Sequence, residues 1–112
     1  KLVREICIAI YEAKGMITVN LLCDIFNMDR QSLNKTFFQH VKYTTKKFII
    51  LVRILNVVKF KMKHPSDSFT KVAYEFGYYD QAHFIYDFKR ISGVTPTQLF
   101  KELPMFLLRH NK

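Results

Sequence analysis

Glycine is scarce in this chain, three residues in 112, and proline is equally scarce at three. A phosphate-cradling loop needs clustered glycines, so that class of nucleotide enzyme is excluded. Cysteine is scarcer still. Cys7 and Cys23 lie among apolar neighbours, in neither a CxxC pair nor a Cys/His cluster. That spacing argues against a zinc site and suits two buried thiols in a reducing compartment. No apolar run approaches the ~18 residues of a membrane span, and no signal peptide opens the chain. HExxH is absent, as is any workable Ser/His/Asp arrangement, so no enzyme, metal or cofactor is expected. The chain opens at Lys1 without methionine, which suits a fragment of a longer protein.

Acids are half as many as bases, 9 against 18, which leaves a formal charge of +9. A charge of that size points to a polyanionic partner, nucleic acid or an acidic protein. Hydrophobic residues make up 49% and charged residues 24%, the balance of a folding domain. At this length a single domain with its own core is expected.

Apolar spacing then gives the helices. Lys1 to Lys14 carries a stripe of Leu2, Ile6, Ala9, Ile10 and Ala13, and Gly15 ends it. Thr18 caps a short helix, about Val19 to Phe26, with Leu21, Leu22, Ile25 and Phe26 as its apolar side. Asn27-Met28-Asp29 is a turn, and Asp29 caps a helix from Arg30 to about Val41. Leu33, Phe37 and Val41 face inward there, and Arg30, Gln31, Asn34 and Lys35 lie on the other side. Thr44 or Thr45 opens the longest helix, to about His64. Its predicted buried stripe is Phe48, Leu51, Val52, Leu55, Val58 and Met62, and Lys46, Lys47, Arg53, Lys59, Lys61 and Lys63 make the rest basic. Pro65 stops it.

The second half repeats the plan. Phe69, Val72, Ala73 and Phe76 form one stripe, Gly77 supplies a left-handed cap, and Asp80 caps a helix bearing Phe84, Phe88 and Ile91. Two short helices joined by a tight turn, with small Ala73 at the crossing, form a helix-turn-helix. Cys23 matches Ala73 at an offset of fifty; Leu33 matches Phe84, Phe37 matches Phe88 and Thr44 matches Thr95 at fifty-one. The chain therefore holds two copies of one supersecondary unit. Gly93, which ends the second copy's long helix, has Lys42 as its counterpart, so Lys42 either bears a left-handed penalty or uses another cap. Thr95 and Pro96 begin a last helix to about Leu103, ahead of an apolar and basic tail.

Val72-Ala73, Gly77-Tyr78, Phe84, Phe88-Lys89 and Gly93-x-Thr95-Pro96 resemble the signature of AraC/XylS-type transcription regulators. That resemblance implies an all-α, seven-helix domain, two helix-turn-helix units joined by a long linker helix. The divisions would be 1–43, 44–64 and 65–104, with 105–112 as a tail. It implies a bacterial, cytoplasmic regulator that binds an operator duplex, meets RNA polymerase, and in most members carries a separate effector and dimerisation domain. The base-reading positions implied by the resemblance are Gln31, Asn34 and Lys35 in the first unit and Gln81, Ala82, Ile85 and Tyr86 in the second. Glutamine, asparagine and lysine suit base edges, and Ala82 and Ile85 suit a thymine methyl. Phosphate candidates are Arg30, Lys46, Lys47, Arg53, Lys89, Arg90 and Thr97, with the helix starts at Thr44 and Thr95. The alternative is a basic helical interaction module for an acidic partner.

Overall fold

The computed structural model describes residues 1–102; the tail, 105–112, lies outside the described residues. Six helices run in order: α1 Leu2–Glu12, α2 Val19–Phe26, α3 Arg30–Val41, α4 Thr45–Lys63, α5 Phe69–Glu75 and α6 Gln81–Ser92. Residues 96–102 form a seventh, α7, and the described residues contain no strand. The fold is all-α. Two compact units divide it, Lys1–Pro65 and the part from Ser66 onward, so α4 belongs to the first unit.

In the first unit α1 packs on α3 and α4, and α2 and α4 on α3. Ile6, Ile10, Ile17, Val19, Leu22, Leu33, Phe37, Ile49 and Val52 form the core, and Phe48 meets Phe37 edge-on at 5.4 Å. Two predicted faces need correction. On α2 the chain buries Val19 and Leu22 and leaves Leu21 and Ile25 about half exposed. On α4 the buried residues are Thr45, Ile49, Ile50, Val52, Ile54 and Val57, while Leu55 and Met62 are exposed. Both helices are apolar on more than one side, so periodicity alone did not choose the face that turns inward. Leu2 of the α1 stripe is also exposed, while Ala9 and Ala13 pack against the core from its edge. Thr45 is fully buried, and its hydroxyl finds no partner among the described residues, a cost of about 1–3 kcal/mol borne by the fold. Cys7 and Cys23 are free and half-buried against this core, and burial pushes the Cys7 thiol up.

The second unit is built around Val72, Ala73, Phe76, Tyr78, Phe84 and Phe88, all buried. Tyr78 meets Phe84 at 5.3 Å and Phe84 meets Phe88 at 5.8 Å, both edge-on. The stripes expected on α5 and α6 are the ones buried, with Phe69 and Ile91 at their margins.

The duplication is visible bond by bond. The N–H of Met28 donates to the Cys23 carbonyl at 3.0 Å, and that of Tyr78 to the Ala73 carbonyl at 3.0 Å, so α2 and α5 close in the same way. Asn27 (φ 54°) and Gly77 (φ 86°) supply the left-handed residue at the two turns. Lys42 N–H donates to Phe38 at 2.9 Å and Gly93 N–H to Lys89 at 2.8 Å, closing α3 and α6. Lys42 does adopt the left-handed conformation, φ 68° and ψ 16°. It is exposed, so no packing requires its side chain. Lys42→Gly should therefore raise stability by about 0.5–1 kcal/mol in urea melts. A loss of stability would show that the lysine stem contributes more than the strain costs.

Candidate nucleic-acid interface

Each unit presents one helix whose inner face is locked and whose outer face is open. α3 is anchored by Leu33 and Phe37, both fully buried. Its start is fixed by Asp29, whose carboxylate accepts from the Ser32 N–H at 2.7 Å and the Ser32 hydroxyl at 3.2 Å. Those hydrogen bonds hold the Asp29 carboxyl below its ordinary range, so the cap is charged at neutral pH. A carboxylate at a helix N-terminus also meets the positive end of the helix dipole. With the helix fixed, Gln31 and Lys35 lie exposed and Asn34 half-buried on the outward side.

α6 is anchored by Phe84 and Phe88, and Asp80 caps it by accepting from the Ala82 N–H at 2.9 Å. Gln81, Ala82 and Tyr86 are exposed and Ile85 half-buried, so all four expected positions share its outward side. This face is mostly apolar, in contrast to the polar face of α3.

The helices that follow α3 and α6 each have a built N-terminus. Thr44 Oγ1 accepts from the Lys47 N–H at 3.1 Å. Thr95 Oγ1 accepts from the Gln98 N–H at 3.2 Å, while Gln98 Oε1 accepts from the Thr95 N–H at 2.9 Å, a reciprocal capping box. Of the cationic candidates, Lys46, Lys89 and Arg90 are exposed, as is Thr97. Lys47 lies over the Tyr43 ring at 5.2 Å. Arg30 is exposed but braced across the first unit, its guanidinium donating to Asn20 Oδ1 on α2 at 2.7 Å.

Arg53 stands apart from the other cations. It is half-buried, and its Nε donates to the Gly15 carbonyl at 2.8 Å, so it ties the α1–α2 connection to α4. Asp87 is 2% exposed on the apolar side of α6, where its carboxylate accepts from the Tyr78 hydroxyl at 2.8 Å. His83 Nε2 lies 3.3 Å from the same oxygen. The signal was present: an aspartate beside Phe84, Phe88 and Ile91, four residues after a histidine.

Two helix-turn-helix units, each with a capped and exposed second helix on a basic chain, define a DNA-binding domain of the transcription-regulator class. Residues 22–102 match the family described as a helix-turn-helix domain, of the AraC type, and the chain belongs to that family. Families of this kind are typically non-enzymatic. The chain is 28% identical over 87 residues to an uncharacterized HTH-type transcriptional regulator of Haemophilus influenzae (strain Rd). That alignment covers 78% of this chain and 29% of the relative, so the chain spans less than a third of the relative's length. No solved structure matches. Among the described residues, no helix is long and apolar enough to cross a membrane.

Proposed function

We propose that this domain places α3 and α6 in adjacent major grooves on one face of an operator duplex. The observation that carries the proposal is the duplication: two helices, closed by equivalent bonds, each with a buried inner row and an exposed outer row. Gln31, Asn34 and Lys35 would read base edges from α3. Gln81, Ala82, Ile85 and Tyr86 would meet bases from α6, largely by apolar contact. Arg30, Lys46, Lys47, Lys89, Arg90 and Thr97 would hold phosphates, together with the backbone N–H groups at the starts of α4 and α7, capped by Thr44 and Thr95. Arg53 is assigned instead to tying α4 to the α1–α2 connection, because its Nε donates to the Gly15 carbonyl.

In the whole protein this domain would act beside a separate effector and dimerisation domain, in the cytoplasm at the nucleoid. There it would recruit or block RNA polymerase. The relative's description as a transcriptional regulator and its greater length support that assignment.

Titration with duplex DNA and with an acidic polypeptide, at several salt concentrations, tests the proposal. With about six phosphates contacted, log K for duplex should fall with log salt at a slope near −5. Equal affinity for the acidic polypeptide, or a slope near zero on duplex, would overturn it.

A further inference from the structure

A buried carboxylate is tolerated only when it is paired and hydrogen-bonded. Asp87 has one hydrogen bond, from Tyr78. The one group able to carry positive charge within ion-pair distance of it, among the described residues, is His83. The His83 ring is fixed as well as paired. It lies edge-on to Tyr78 at 5.3 Å, while 59% of its side chain stays exposed. Around α6 it falls between Tyr86 and Asp87, at the flank of the face assigned to DNA. Nε2 faces the Asp87 carboxylate at 3.3 Å, an ion-pair contact, and Nδ1 has no hydrogen bond among the described residues.

The donor count then decides what His83 can do. A carboxylate 3.3 Å from Nε2 favours the tautomer with its proton there, so a neutral ring keeps Nδ1 as an acceptor, and Nδ1 becomes a donor only when the ring takes a second proton. A DNA phosphate diester accepts hydrogen bonds and donates none. We propose that His83 is a proton-linked contact to the DNA backbone, doubly protonated in the complex, with Nε2–H on Asp87 and Nδ1–H on a phosphate. Asp87 is its positioning residue, orienting the ring through the 3.3 Å contact with Nε2. This inference rests on the DNA-binding proposal above. Binding then takes up one proton from solvent whenever the free ring is neutral.

The other ionisable groups nearby are few. Tyr78 faces the ring from the turn, and the Asp80 carboxylate is engaged by the Ala82 N–H. On α5, which packs on α6, Lys71, Tyr74 and Glu75 are exposed, and Lys71 pairs with Asp67 at 3.5 Å. Lys101 and Glu102 of α7 are exposed. Among the described residues none of these is within ion-pair distance of His83.

The test is duplex affinity from pH 6 to 8.5 at constant salt, for wild type, His83→Gln, His83→Lys and Asp87→Asn. Wild-type log K should fall as pH rises, with a slope approaching about −1 on the alkaline side, close to tenfold per unit. His83→Gln should lose that slope. His83→Lys, charged throughout, should be flat and at pH 8 bind at least as tightly as wild type. Asp87→Asn keeps an acceptor for the Tyr78 hydroxyl but withdraws the charge. It should keep the fall with pH but bind more weakly than wild type at pH 6, because the ring is no longer oriented. The other histidines are common to all variants and cancel in the comparison. If Asp87→Asn fails to fold, the His83→Gln comparison decides alone. Duplex binding with a flat wild-type profile, or with the same slope in His83→Gln, overturns this inference and leaves the DNA proposal standing. No duplex binding at any pH overturns both.

Discussion

Gly15→Ala should cost the domain about 2–5 kcal/mol, a large share of the roughly 5–15 kcal/mol by which small domains are stable. Two effects add. Gly15 has φ +75°, a conformation that a side chain disfavours. A Cβ there would also lie 2.4 Å from the Arg53 backbone nitrogen and 2.7 Å from its Cα. That neighbour is helix backbone, which cannot rotate aside, so the α1–α2 connection must move off α4. The Arg53 Nε bond to the Gly15 carbonyl would break with it. Gly93→Ala is the matched control. Its φ is +83°, but a Cβ there meets nothing within 4 Å, so only the conformational cost of about 1 kcal/mol remains. Urea melts of the two variants decide the matter: similar losses at both positions would show that close approach at Gly15 is not what fixes α1 against α4.

Replacing Asn34 or Lys35 with alanine should relax base preference in one half of the operator. A bidentate base contact is worth about 1–3 kcal/mol of discrimination, so each change should cost roughly five- to 150-fold between correct and incorrect bases. The reason lies in the difference between the outer faces. α3 offers three hydrogen-bonding side chains, and α6 offers Gln81 followed by Ala82, Ile85 and Tyr86. Tyr86→Ala removes an exposed ring, so it should weaken binding with little change in preference. Lys89→Ala should weaken all sequences about equally. A panel of single-base operator changes, measured at fixed salt, separates these effects. If Tyr86→Ala erases preference at more positions than Asn34→Ala and Lys35→Ala together, the second unit is the principal reader.

Much of the architecture was legible because it is written in local chemistry. Thr18, Asp29, Thr44, Ser68, Asp80 and Thr95 are short oxygen-bearing side chains at helix starts, and all accept from a backbone N–H two or three residues on. The turns at Asn27 and Gly77 are equally local. The inward faces of α2 and α4 were harder to see. Leu21 and Leu22 are the same residue in sequence, yet one is 47% exposed and the other fully buried. Which one turns inward depends on the partner helices, and spacing within α2 carries no information about them. The outward positions of α3 followed from the inward ones, Leu33 and Phe37, and those of α6 came from the family resemblance. Arg53 and Asp87 were opaque for a related reason. A cation on a basic helix and an acid on an exposed-looking one take their roles from bonds outside their own helix, to Gly15 and Tyr78.

The most direct measurement is a dimethyl sulfate methylation-protection footprint of this domain on a selected duplex, which reads guanine N7 in the major groove, beside a hydroxyl-radical footprint of the sugar backbone. Two adjacent major grooves should be protected on one face of the duplex at one domain per site, with loss of protection in one groove for Asn34→Ala and Lys35→Ala. Protection confined to a single groove, or two grooves protected only when two domains are bound, would contradict a pair of reading helices within one chain.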